Sequence, residues 1–95
     1  MGHTKPENLS DLAAELGCIR KLARVIEKSP GVFYWKRLPF LHFHDKDGIR
    51  WADIKLPTGG WERLDVDFDS SAGQRTKFMR AVKAAHASFD QERRG

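Results

Sequence analysis

The chain has 95 residues, of which 40% are hydrophobic and 32% are charged. That length fits one domain, because a single hydrophobic core typically serves about 50 to 200 residues, and no apolar run approaches the roughly 18 residues that cross a membrane. Seventeen Lys and Arg against 13 Asp and Glu give a net charge of +4, which favours anionic partners without requiring them, and one cysteine, Cys18, excludes an internal disulfide.

Both ends of the chain are polar. The start, MGHTKPENLSD, lacks the apolar core of a secretory signal, so we expect a cytoplasmic protein with no membrane segment. We expect a single α+β domain over residues 1–95, with flexible ends at 1–7 and 91–95.

The first predicted element is a helix over about residues 9–28. Leu12, Leu16 and Ile19 recur at steps of four and three, which is the spacing of one face of an α-helix. The segment KSPG at 28–31 supplies a basic last turn followed by two helix breakers. The helix is therefore expected to end there.

Four β-rich segments follow, separated by turn signals. The last of them alternates apolar Leu64 and Val66 with charged Arg63 and Asp65, which is typical of a sheet with one buried and one solvated face. The pattern predicts an antiparallel meander of three or four strands. The segments are VFYW at 32–35, FLHFH at 40–44, IRWADIKL at 49–56 and WERLDVDF at 61–68.

A second helix is predicted from Ser70 or Ser71 to about Asp90, with Phe78 and Val82 in its apolar stripe. Two helices with one apolar stripe each, and a sheet with one apolar face, bury one another if both helices lie on the same side. The predicted fold class is therefore α+β, in the order α-β-β-β-β-α. This arrangement leaves the opposite face of the sheet uncovered.

The hairpin turn at 45–48 decides which side chains lie on that uncovered face, since a shift of one residue exchanges the two faces of a strand. A loop of two or four residues places His42 and His44 there beside Trp51, and the two-residue loop sets His42 opposite Asp53. A loop of three would bury the histidines, which is costly for polar groups, so we favour the even-numbered loops. The expected binding face is formed by Trp35, His42, His44, Trp51, Asp53, Lys55, Trp61 and Arg63.

Three functions compete for this face. A patch of aromatic side chains on a sheet usually contacts a partner, most simply a second copy in a homodimer, and this is the leading interpretation. Rings among Lys and Arg side chains also suit single-stranded nucleic acid, although Asp53 and Asp65 oppose a polyanion. The third hypothesis is a metal or catalytic site in which His42 and His44 ligate one zinc ion, with Asp53 as a third ligand.

No motif indicates an enzyme or a cofactor. There is no serine or threonine nucleophile in a recognisable setting, and PTGG at 57–60 lacks the lysine and the following helix of a phosphate loop. We therefore expect a small basic binding module without a cofactor, rather than an enzyme.

Residues 30–55, PGVFYWKRLPFLHFHDKDGIRWADIK, carry a resemblance to known sequences. The stretch resembles small uncharacterised bacterial proteins that share a core of PGVFY, PFLHFH, a glycine and ADIK. The resemblance implies a bacterial, stand-alone single-domain protein, and it implies no activity, cofactor or site residue.

Overall fold

A computed structural model describes residues 4–94. They form an α+β fold in which two α-helices pack on one face of a five-stranded antiparallel meander, after a short 3₁₀ helix at Pro6–Leu12. The predicted fold class is confirmed, with five strands in place of three or four. The elements are α1 Ala13–Arg20, β1 Val25–Ser29, β2 Val32–Trp35, β3 Leu38–Lys46, β4 Ile49–Lys55, β5 Trp61–Asp65 and α2 Ala72–Arg94.

The predicted helix over 9–28 is wrong in its second half. α1 ends at Arg20, and the chain turns at Arg24, whose φ of +67° is incompatible with a continuing helix. The edge strand β1 then begins, because the β-branched residues Val25 and Ile26 favour extended backbone and β2 offers an antiparallel neighbour.

The core lies between the helices and one face of the sheet. Phe40 and Leu41 are adjacent on β3, yet both are fully buried, because a β-bulge opposite Phe33 inserts one extra residue into β3. Phe40 then packs edge-on against Phe89 of α2, with ring centroids 5.8 Å apart. The bulge thus lets two consecutive aromatic and aliphatic side chains fill the same core.

The β3–β4 hairpin has a two-residue loop. Asp47 and Gly48 have φ values of +54° and +79°, as the tight hairpin turn of type I′ requires. The resulting register sets His42 opposite Asp53. The predicted even-numbered loop is therefore confirmed.

Arg50 of β4 is fully buried, and each of its five guanidinium N–H groups has an acceptor. Nη1 and Nη2 donate to the two carboxylate oxygens of Asp11 at 2.7 and 2.9 Å. The remaining hydrogens reach the carbonyl oxygens of Val66, Asn8 and Asp67 at 2.7, 2.8 and 2.9 Å. The hydrogen bond from Arg50 lowers the pKa of Asp11. The hydrogen bonds of Arg50 therefore connect the 3₁₀ helix and the segment that follows β5 to strand β4.

Thr4 and the last turn of α2 are the two ends of the described chain. Thr4 is buried, its backbone N–H donates to the carbonyl of Phe43 at 3.4 Å, and α2 continues to Arg94. Residues 1–3 and 95 lie outside the described residues, and the predicted flexibility of 1–7 and 91–95 stays a prediction.

None of the helices in residues 4–94 combines the length and the apolar composition that crossing a lipid bilayer requires.

Candidate functional site

The candidate site is the sheet face opposite the helices, here called the open face. Strand register places alternate residues of β3, β4 and β5 on it, in cross-strand rows. One row contains His42, Asp53 and Arg63, the next contains His44, Trp51 and Asp65, and a third contains Lys55 and Trp61. Seven of the eight residues predicted for the binding face therefore lie together.

Four rings of the open face form a continuous series of contacts. The rings of Trp51 and His44 are stacked, with centroids 5.6 Å apart and planes at 30°. His44 lies 6.1 Å from His42 in an edge-to-face contact, and His42 lies 5.2 Å from Trp61. The histidines therefore connect two indoles that the sequence separates by ten residues.

Two cations complete the series. The guanidinium carbon of Arg63 lies 4.6 Å from the ring centroid of Trp51, and Lys55 Nζ lies 5.0 Å from that of Trp61. Such cation–π contacts stabilise by about 0.5–1 kcal/mol at exposed sites. Because β3 and β5 flank β4 on opposite sides, His44 and Arg63 approach the indole of Trp51 from both sides.

The charged groups on the open face have both signs and form pairs. Asp53 Oδ2 lies 3.3 Å from His44 Nε2, and the residue opposite Asp53 in the strand register is His42. Arg63 Nε donates to Asp65 Oδ1 at 3.0 Å. Among the residues that the structure describes, no group of three His, Cys, Asp or Glu side chains is placed to hold a metal ion. The zinc hypothesis thus gains no support from the geometry.

Exposed apolar side chains are concentrated on the same face. Ile26, Ile49 and Trp61 are 53%, 47% and 42% exposed, and all three lie on the open face by strand register. The fourth large exposed apolar residue in the described chain, Leu38, lies opposite the core residue Trp35 and so on the helix side. Three of the four large exposed apolar residues in the described chain therefore lie on the uncovered face.

Trp35 does not belong to the open face, contrary to the sequence prediction. It is buried at 3% exposure, packs edge-on against Phe89 of α2 and donates its indole N–H to Asp90 Oδ1 at 2.8 Å. Asp90 also accepts two hydrogen bonds from Arg24, at 2.5 and 2.6 Å. The pairing of Val25 with Trp35 sets this orientation, and the sequence segment VFYW lacks the alternation that would have shown it.

Arg50, Ile26 and Ile49 are not among the residues that the sequence predicts for the site or its support. Arg50 has the same parity as Ala52 and Ile54, which are buried, so alternation along β4 was the signal for its burial. Ile49 has the opposite parity, which it shares with Trp51 and Asp53, and this places it on the open face. Ile26 has no such signal in the sequence, because its spacing from the preceding apolar residues suits a helix.

No protein-family model, no curated protein and no solved structure matches this chain. The resemblance of residues 30–55 to uncharacterised bacterial proteins stays a prediction.

Proposed function

We propose that the protein is a binding module that self-associates, with the open face of one copy packing against the open face of a second. The observation that carries this proposal is the concentration of exposed apolar side chains on the one sheet face that no helix of the described chain covers. Burying apolar surface stabilises an association by about 25 cal/mol per Å² before the costs of association are subtracted. Removing Ile26, Ile49 and Trp61 from water is thus the driving term.

The size of the open face supports this occupant. Five strands spaced by about 4.8 Å, each about 20 Å long, give a projected area of roughly 500 Å². Upright side chains make the accessible area larger than its projection. The face is therefore of the order of the ~800 Å² that each partner contributes to an interface of standard size.

The charge pattern also suits a second copy. Asp53 and Asp65 lie beside Lys55 and Arg63, so the face carries acids and bases in similar number. In a two-fold interface each residue meets the same surface of the other copy, and a face of one sign would repel itself. A mixed face allows the acids of one copy to meet the bases of the other.

Single-stranded nucleic acid fits the open face less well. Bases stack on the flat sides of aromatic rings, and the indole of Trp51 has contacts with His44 and Arg63 from both sides. Two carboxylates in the central rows would also lie close to phosphates. We therefore treat nucleic acid on this face as an outcome of the test.

The test uses two matched substitutions measured by light scattering or sedimentation over a concentration series. Ile49→Glu places a charge on the open face, where Lys46 lies opposite and tolerates it. Leu38→Glu makes the same change at a residue of similar exposure on the helix side. We expect twice the monomer mass of 10.9 kDa for the wild type and for Leu38→Glu, and the monomer mass for Ile49→Glu. Trp51→Ala should weaken association in the same way, with an unchanged circular dichroism spectrum.

A wild-type monomer at every concentration would refute self-association. Equal dissociation of both Glu variants would show that association does not use the open face. Binding of a labelled single-stranded oligonucleotide, lost in Trp51→Ala, would instead support the nucleic-acid alternative. The expected cytoplasmic location stays a prediction.

A further inference from the structure

A second surface, on the helix layer, has a different chemistry from the open face. Between Asp69 and Asp90 the sequence contains no acidic residue and four cations, Arg75, Lys77, Arg80 and Lys83. Lys77, Arg80 and Lys83 are exposed and follow one another at steps of three, so they cross the outward side of α2 as a cationic row.

The cationic row borders a groove between α1 and α2. The groove is lined by Glu15, Arg75, Thr76, Met79, Arg80 and Lys83. Arg75 is held in it by Glu15, at 3.6 Å, and by the carbonyl oxygen of Ser70. The one carboxylate that lines the groove, that of Glu15, is therefore paired with Arg75. The charges of Arg80 and Lys83 are not neutralised by it, so the groove has a net positive charge.

Two cations of the row, Arg80 and Lys83, lack a carboxylate close by. Among the described side chains of residues 4–91, no carboxylate lies within 4 Å of Arg80 or Lys83. Lys77 differs, because it lines a second groove with Glu62 and Asp65 of β5. Like charges one helical turn apart repel and cost a few tenths of a kcal/mol, so an anionic partner would stabilise this surface.

We propose that the cationic row of α2 binds the phosphate backbone of duplex DNA. The row extends about 9 Å along the helix axis, and over that length a duplex carries about five phosphates. The row is flanked by small exposed residues, Gly73, Ala84 and Ala87, which let a backbone approach closely. None of these six residues is aromatic, and the ring of His86, three residues after Lys83, is only partly exposed, with its Nε2 2.9 Å from the carbonyl oxygen of Ala23. The surface therefore offers phosphates a contact and offers unpaired bases no freely exposed ring to stack on.

The electrostatics set a measurable expectation. Three neutralised phosphates predict that the logarithm of the binding constant falls with the logarithm of salt with a slope of about −2.7. Removing Arg80 and Lys83 should reduce the magnitude of that slope by about 1.8. When the salt concentration rises fourfold, the binding constant of the variant should therefore fall by about tenfold less than that of the wild type.

The experiment is a fluorescence anisotropy titration of the full chain against a labelled DNA duplex at several salt concentrations. The test variant is Arg80→Gln with Lys83→Gln. The control, Lys5→Gln with Arg37→Gln, removes the same charge from exposed positions outside α2 and the open face. We expect weaker binding and a flatter slope for the test variant and near wild-type values for the control.

An equal loss in both double variants would overturn the proposal, because only net charge would then matter. A wild type that does not bind the duplex at low salt, or that binds a single strand of the same length more tightly, would overturn it as well. Circular dichroism and thermal melts establish that the variants are folded. The monomeric Ile49→Glu variant should bind the duplex like the wild type, so failure of this proposal and failure of self-association are distinguishable.

Discussion

Asp11→Ala should destabilise the protein by about 2–3 kcal/mol, although this carboxylate lies in the first dozen residues of the chain. The change removes two of the five hydrogen bonds of the buried Arg50 guanidinium. Hydrogen bonds to charged groups contribute about 1.5–3 kcal/mol each, and the 40% exposure of the Asp11 side chain lets water replace part of that. A loss of this size lowers the melting temperature by roughly 10–20 °C in a domain this small.

The pH dependence gives the same prediction a second readout. The pKa of Asp11 is lowered in the folded state, so its contribution is complete above the unfolded pKa of about 3.9 and is lost as the pH falls through the folded value. The difference between the wild type and Asp11→Ala in urea unfolding should therefore be full at neutral pH and shrink below about pH 4.

Glu7→Ala is the matched control, since Glu7 is an exposed acid of the same 3₁₀ helix. It should unfold close to the wild-type midpoint at every pH. If Asp11→Ala behaves like Glu7→Ala at neutral pH, the Arg50 pair does not stabilise the fold as argued.

Two further substitutions test the packing that positions the sheet. Gly31→Ala should lower the free energy of unfolding by about 2–4 kcal/mol, because the φ of +76° disfavours a side chain and the new Cβ would lie 2.8 Å from Leu9 Cδ1. The matched control is Gly48→Ala, at φ +79° with open space around it, which should lower it by only about 1–2 kcal/mol in urea unfolding. Trp35→Phe should cost about 2 kcal/mol by removing the indole donor to Asp90, and a thermal melt indistinguishable from wild type would contradict that role.

The parts of the fold that the sequence predicts well are those where alternation and turn chemistry agree. Asp47-Gly48 is a strong signal for a two-residue hairpin, and it alone determines that His42 and Asp53 share a face. The alternation in β5 then extends that face to Arg63. From these two local signals most of the open face follows.

The sequence predictions are wrong where the local residue pattern fits more than one structure and tertiary contacts determine which one forms. The apolar spacing of residues 9–28 suits a helix, but Ile26 and its neighbour also suit a strand, and pairing with β2 determined the outcome. Trp35 was misplaced because four consecutive apolar residues have no alternation. Arg50 was missed because a charged residue is expected outside, whereas here Asp11, 39 residues away in sequence, makes its burial possible.

The two proposed surfaces lie on opposite layers of the molecule, and their chemistry differs accordingly. The open face carries most of the exposed apolar residues and charges of both signs, whereas the outward side of α2 carries exposed cations and small residues. Packing two copies through their open faces would place the sheets at the centre and the two α2 rows on opposite outer sides. The two cationic rows could not then bind one short duplex at the same time, so dimerisation adds no avidity for a short duplex. This geometry is the reason that Ile49→Glu, although monomeric, is expected to keep the wild-type affinity for a single short duplex.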